Sequence, residues 1–112
     1  YISTAEDNAF SVFAIDMDND GDIDVLSASN DDDTISWFEN DGTGEGWTYH
    51  EISTAANGAR SVFAIDMDND GNVDVLSASQ NDDTIAWYDN HELLSISSSC
   101  KVLITMAQWF CS

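Results

Sequence analysis

A chain of 112 residues can form one small structural unit with a limited core, burying about two-thirds of the surface its unfolded form exposes. Its net charge of −20, from 22 acids against Arg60 and Lys101 alone, excludes nucleic acid and anionic membrane surfaces as partners. No apolar run approaches the length of a membrane span, and with no proline and six glycines the turns must rest on Asn, Asp and Gly.

Tyr1-Ile2-Ser3-Thr4 matches Glu51-Ile52-Ser53-Thr54, so the chain is expected to enter at the end of a strand and to be cut from a longer repeat array. Ser11 to Asn40 aligns without a gap on Ser61 to Asn90, differing only at 22, 23, 30, 31, 36, 38 and 39, which leaves 23 of 30 positions identical. This is an internal repeat with a spacing of fifty. Four strands are predicted in it: about Ser11 to Asp16, Asp24 to Ser29, Thr34 to Glu39 and Trp47 to Ser53. The first is apolar on both faces, as a strand covered from both sides would be, and the fourth mixes polar with apolar residues, so burial is expected to fall from the first strand to the last.

Between the first two strands lies Asp16-Met17-Asp18-Asn19-Asp20-Gly21-Asp22-Ile23-Asp24, and fifty positions on Asp66-Met67-Asp68-Asn69-Asp70-Gly71-Asn72-Val73-Asp74. Carboxylates at alternate positions repel one another unless a cation sits between them, and a glycine at the sixth place permits the positive φ of a sharp turn. Hard oxygen ligands without His or Cys suit calcium rather than zinc or copper. Side-chain oxygens of Asp16, Asp18, Asp20 and Asp24 with the carbonyl of Asp22 are assigned to one Ca²⁺. Those of Asp66, Asp68, Asp70 and Asp74 with the carbonyl of Asn72 are assigned to a second. An EF-hand loop starts the same way but closes with Glu at the twelfth place between helices; here that place is Ser27 or Ser77 and the flanks are β-formers. The bland alternative is a solvated Asp/Asn/Gly hairpin that binds nothing, against which stand two copies with five and four acids.

Asn30-Asp31-Asp32-Asp33 and Gln80-Asn81-Asp82-Asp83 read as hairpin turns rather than further metal sites, because they lack the alternating spacing and the glycine. Asp41-Gly42-Thr43-Gly44-Glu45-Gly46 reads as a surface connection, either flexible filler or a loop that carries recognition. Trp37 and Trp87 hold equivalent third-strand positions and are expected in core or inter-repeat packing, with sugar stacking as the other option. His50 and His91 have no partner at metal spacing, and His50 is expected on a strand surface. Ser residues abound without a nucleophile elbow, so no catalytic constellation emerges and the chain is read as a non-enzyme.

A four-stranded unit repeating every fifty residues is the pattern of a β-propeller blade. The string Ser61-Val62-Phe63-Ala64-Ile65-Asp66-Met67-Asp68-Asn69-Asp70-Gly71-Asn72-Val73-Asp74-Val75-Leu76 resembles the FG-GAP or VCBS repeat, the calcium-binding blade of integrin α-subunit propellers and of many secreted proteins. The literal Phe-Gly of the family is missing: Ala9-Phe10-Ser11-Val12 and Ala59-Arg60-Ser61-Val62 stand near its place. The resemblance covers residues 1 to about 90 and implies that the acidic loop joins the first and second strands of a blade, where calcium rigidifies it. It also implies a secreted or cell-surface scaffold for a protein or glycan ligand; a bare structural fragment without its own ligand and an accessory domain of an extracellular enzyme are the alternatives.

The expected architecture is therefore all-β: two four-stranded propeller blades, about 1–50 and 51–90. Because closed propellers need about four to eight blades, copies are expected to associate into a homo-oligomer that completes the ring. Residues 91–112 break the pattern, holding one acid, Glu92, and both cysteines. In simple register, Ser99 to Ile104 falls opposite Tyr49 to Thr54 and would supply a substitute outer strand, with a helix over Leu103 to Phe110 as the weaker option. Cys100 and Cys111 either pair, as in an oxidising compartment, or stay free buried thiols.

Overall fold

A computed structural model describes residues 1–90. Their secondary structure is all β: β1 (Ala9–Ile15), β2 (Asp24–Ser29), β3 (Thr34–Asn40), β4 (Trp47–Ser53), β5 (Ala59–Ile65), β6 (Asp74–Ser79) and β7 (Thr84–Tyr88). The first four form one antiparallel sheet in the order β1-β2-β3-β4, and the last three a second sheet in the order β5-β6-β7. The two repeats thus fold alike through their third strands. The substitute fourth strand of the second sheet and the cysteine pair fall outside the described residues.

Register repeats as closely as sequence. Phe13 pairs with Leu26 and Leu26 with Trp37, as Phe63 pairs with Leu76 and Leu76 with Trp87. Both first strands shift register just after Ala9 and Ala59, a bulge that adds twist at the strand entry. Each hairpin between second and third strands turns on an aspartate in the left-handed region, Asp33 at φ 56° and Asp83 at φ 54°, a conformation that Asp and Asn tolerate better than other side chains.

Alternation gives each sheet two apolar faces. We call the face of Phe13, Leu26, Ala28, Ile35 and Trp37 the front of the first sheet, and the face of Val62, Ala64, Val75 and Tyr88 the back of the second. The core lies where front meets back: Met17, Leu26, Ala28 and Ile35 on one side, Ala56, Ala59, Val62, Ala64, Val75 and Tyr88 on the other. Side chains of these sizes fully removed from water contribute about 1.5–3 kcal/mol each for Leu, Ile and Val, which is what holds two small sheets together.

The expected fall in burial from first strand to last is corrected here. β2 and β3 are the most buried strands of the first sheet, whereas β1 alternates between exposed and half-buried and β5 between buried and exposed. The reason is position: β1 and β5 are edge strands of their sheets, and each has another sheet against one face only, so half of their apolar residues lack a cover. Trp37 is half-buried against the core, while Trp87 on the open front of the second sheet is exposed.

Polar contacts lock the linker between the sheets. The Gly58 N–H donates to Asp33 Oδ1 at 2.8 Å and the Ala56 N–H to the Asp33 carbonyl at 3.1 Å. Gly58 takes φ +71°, and a Cβ there would approach the Asn81 side chain to 2.7 Å; the first repeat places Asn8 at the equivalent position with φ 57°, a conformation that glycine adopts without strain and Asn tolerates. The Asp31–Asp33 stretch, read above as a solvated turn, therefore has a structural duty: it holds the next repeat.

Candidate metal centres

Each acidic loop runs from the end of a first strand to the start of a second, and its geometry is set by its own side chains. Asp16 accepts the N–H groups of Asp20 at 3.2 Å and Gly21 at 2.8 Å through its two carboxylate oxygens. Asp66 accepts those of Asp70 at 3.2 Å and Gly71 at 2.9 Å. Asp20 and Asp70 accept from Asp22 and Asn72 at 2.9 Å each. Gly21 and Gly71 sit at φ +90° and +91°, where the turn reverses and a side chain would strain the backbone.

The ninth-place aspartates are fully buried and brace the loop from below. Asp24 Oδ2 accepts the Met17 N–H and Oδ1 the Asn40 N–H, both at 2.9 Å. Asp74 repeats this with Met67 at 2.9 Å and Asn90 at 2.8 Å. Asn40 and Asn90 complete the brace by donating to the carbonyls of Ile23 and Val73, both at 3.0 Å. Asn40 also accepts from Gly42 and Gly44, so the glycine loop, left open above between filler and recognition, is pinned at its start.

The folding of each loop brings four carboxylates to one point. Ligand oxygens of Asp16, Asp18, Asp20 and Asp24 lie within 4.8 Å of one another, and so do those of Asp66, Asp68, Asp70 and Asp74. The Asp22 carboxylate stands apart, against Gly42. Asn72 enters its loop through its N–H on Asp70.

Crowding shows in the acidities. Burial, then hydrogen bonding to Glu39 and Asp20, then the charges of Asp24 and Asp20 push Asp18 up to about 8. Asp68 is pushed up to about 6 by desolvation and by the charges of Asp74, Asp70 and Asp89. Desolvation also raises Asp24, although the N–H groups of Asn40 and Met17 oppose it. The N–H of Asp22 lowers Asp20. Asp18 Oδ1 is sealed from water with no hydrogen-bond donor, whereas the oxygens of Asp16 and Asp24 all have one. A buried acceptor beside converging like charges suits a hard cation. The residues present fit calcium: the donors are carboxylate oxygens, with no nitrogen or sulfur among them.

Two residues were not found by reading the loops alone. Glu39 and Asp89, at the ends of the third strands, reach Asp18 and Asp68 respectively. Their signal was an acid at the same place in both copies, just before an invariant Asn within the chain. Glu39 also pairs with His50 Nε2 at 2.8 Å, and the imidazole stacks on Trp37 with centroids 4.3 Å apart. The surface histidine of the sequence reading is thus half-buried and held on two sides.

The loops also touch each other. Asn19 Nδ2 donates to the Gly71 carbonyl at 3.2 Å, and Asn90 Nδ2 to the Met17 carbonyl at 3.5 Å. The first centre is therefore walled by the second repeat, whereas the second is not walled by another repeat among the described residues.

Comparison with known families gives a match to the FG-GAP-like repeat over residues 16–77, more than half of the chain. The match starts at the first acidic loop and ends in β6, past the second. No curated protein and no solved structure matches the chain.

Proposed function

The chain belongs to the FG-GAP-like repeat family, and from that premise we propose that it is a calcium-binding β-propeller repeat module of a secreted or cell-surface protein, acting as a non-enzymatic scaffold for a protein or glycan ligand. One observation carries the metal part: in both repeats four carboxylates converge within 4.8 Å, and in the first of them Asp18 Oδ1 is buried without a donor. Asp16, Asp18, Asp20 and Asp24 would hold one ion and Asp66, Asp68, Asp70 and Asp74 the other, with the carbonyls of Asp22 and Asn72 completing the sets. Bound calcium supplies charge neutralisation and a rigid link between the first and second strands. The chain's own part is to pre-shape the site. Asp16 and Asp66 fold the turn, Asp24 and Asp74 tie it to the third strand, and Glu39 and Asp89 add negative field from the side.

The family's extracellular setting supports the placement, as does the charge of −20, which salt screens and calcium partly neutralises. Among the described residues no helix is long and apolar enough to cross a membrane. Against catalysis, His50 is clamped between Trp37 and Glu39, and Asp18 and Asp68 already face the proposed cations.

Calcium titration by calorimetry with parallel melting curves tests the metal reading. Two ions per chain at micromolar to millimolar affinity and a higher melting temperature in calcium than in chelator are expected. Superimposable melts with no heat of binding would refute it. A glycan array and a protein pull-down, each run in calcium and in chelator, test the scaffold: calcium-dependent retention of one ligand class supports it. Silence in both favours a purely structural module, and turnover of a substrate that survives Asp16→Ala and Asp66→Ala sinks the non-enzyme reading.

A further inference from the structure

The two sheets are near-copies in sequence but opposites in exposure. Met17 is 1% exposed and its counterpart Met67 47%; Ile35 is 0% and Ile85 78%. On the other faces the order inverts, with Val62 at 4% and Val12 at 68%. The apolar residues that the first repeat buries against the second are those of its front, and those that the second buries against the first are those of its back; Ser27, Ser29, Ser36 and Phe38 on the back of the first are buried too, against Glu6 and Tyr49 of the same repeat. Each repeat thus carries both halves of one apolar seam, of which the chain uses one pair. The other pair, the front of the second repeat (Phe63, Ile65, Met67, Ile85, Trp87) and the back of the first (Val12, Ala14, Ile23), lies open among the described residues.

We propose that the open front of the second repeat docks on the open back of the first repeat of a second copy of this chain, head to tail, reproducing between chains the seam seen within one. The proposal rests on the reading of the chain as a repeat module, and deepens it by naming the partner. The seam inside the chain supplies the template. Phe13 meets Phe63 with ring centroids 4.6 Å apart, and Phe63 has its other side open for the partner's Phe13. Asn19 donates to Gly71, and Asn69, fifty positions on with the same φ of 59°, is placed to donate to the partner's Gly21. Asp33 clasps Gly58, and the Asp83 turn, with the same left-handed backbone, is placed to clasp the partner's Asn8.

The contact is heterologous, since front and back are different surfaces, so it propagates until a ring closes. One difference weakens the new seam relative to the old. Glu6 stands where the second repeat has Ala56, and its carboxylate accepts from Ser27, Ser29 and Ser36 on the back of the first sheet. The seam between chains is therefore wetter than the one within, and the acidic loops that face across it favour assembly with calcium bound.

Light scattering on the full chain in calcium decides. The expected result is a mass several times the 12.3 kDa of one chain. Val12→Asp spoils only the back and Ile85→Asp only the front, and each alone should fall to the single-chain mass. Mixed in equal amounts they should form a species of twice that mass, because the intact front of one variant meets the intact back of the other. A wild-type chain at single-chain mass overturns the proposal. So does a mixture that stays dissociated, and so does a Val12→Asp or an Ile85→Asp chain that stays assembled by itself, which would indicate an isologous contact through the face left intact. Calcium titration of both variants keeps the two readings apart: monomers that still bind two ions overturn the assembly alone.

Discussion

Replacing Asp18 by asparagine should stabilise the chain without calcium and forfeit that gain with it. Without the ion, Asp18 is the carboxyl that burial and its neighbours push from 3.8 up to about 8. A carboxyl whose folded value lies above its unfolded one stabilises the fold only while protonated in both states. Stability is thus greatest below about pH 4, falls as pH rises toward about 8, and is level above that. At pH 7 the fold has met about 3 of those pH units at about 1.4 kcal/mol each. Because the side chain as a whole is only partly buried, screening reduces the roughly 4 kcal/mol to about 1–2 kcal/mol. Asp18→Asn removes this cost, so the calcium-free variant should be more stable by that amount and its stability should lose most of its slope between pH 5 and 8. In millimolar calcium the variant lacks one ligand, and a ten- to hundred-fold weaker site forfeits about 1.4–2.7 kcal/mol of linkage. Urea melts in chelator and in calcium, over a pH series, separate the calcium-free gain from the lost linkage that offsets it. A chelated variant weaker than wild type, or an unchanged pH slope, would refute the account of crowding; unchanged calcium affinity would refute the ligand assignment.

Asp24→Ala should destabilise even in chelator, by about 2–4 kcal/mol, since it strands the N–H groups of Met17 and Asn40; urea melts in chelator that match wild type would contradict the bracing role. Met17→Ala should cost about 2–4 kcal/mol because the side chain is buried between the sheets. Met67→Ala should cost under about 0.5 kcal/mol in the dissociated chain, and thermal melts at low protein concentration compare the two.

Much of the local fold was legible because strand and loop obey short-range rules. β2 and β4 begin and end where expected, their limits set by the loop aspartate on one side and by Asn, Asp and Gly turns on the other. The four carboxylates that converge stand at alternate positions, the spacing read from the sequence, whereas Asp22, at an alternate position too, lies against Gly42 instead. Burial of the first strand was misread for a long-range reason. Val12 and Val62 are the same residue in the same local pattern, and only the presence of another sheet makes one exposed and the other buried. Glu39 and Asp89 escaped for the same reason, because a strand pairing, not sequence neighbourhood, carries them to Asp18 and Asp68. The inward hold on His50 needed the register of β3 with β4, which pairs Trp37 directly with it.

The clasp at Asp33 has a consequence for how such repeats evolve. The linker between the sheets is held where a single aspartate grips two of its N–H groups, apart from the apolar seam that supplies the adhesion. Adhesion and the path of the chain between sheets thereby rest on different residues. Side chains of the seam can drift among Phe, Ile, Met and Trp at little cost in curvature, while one inserted residue between Thr54 and Gly58 would leave the glue intact and bend every later sheet away from its path.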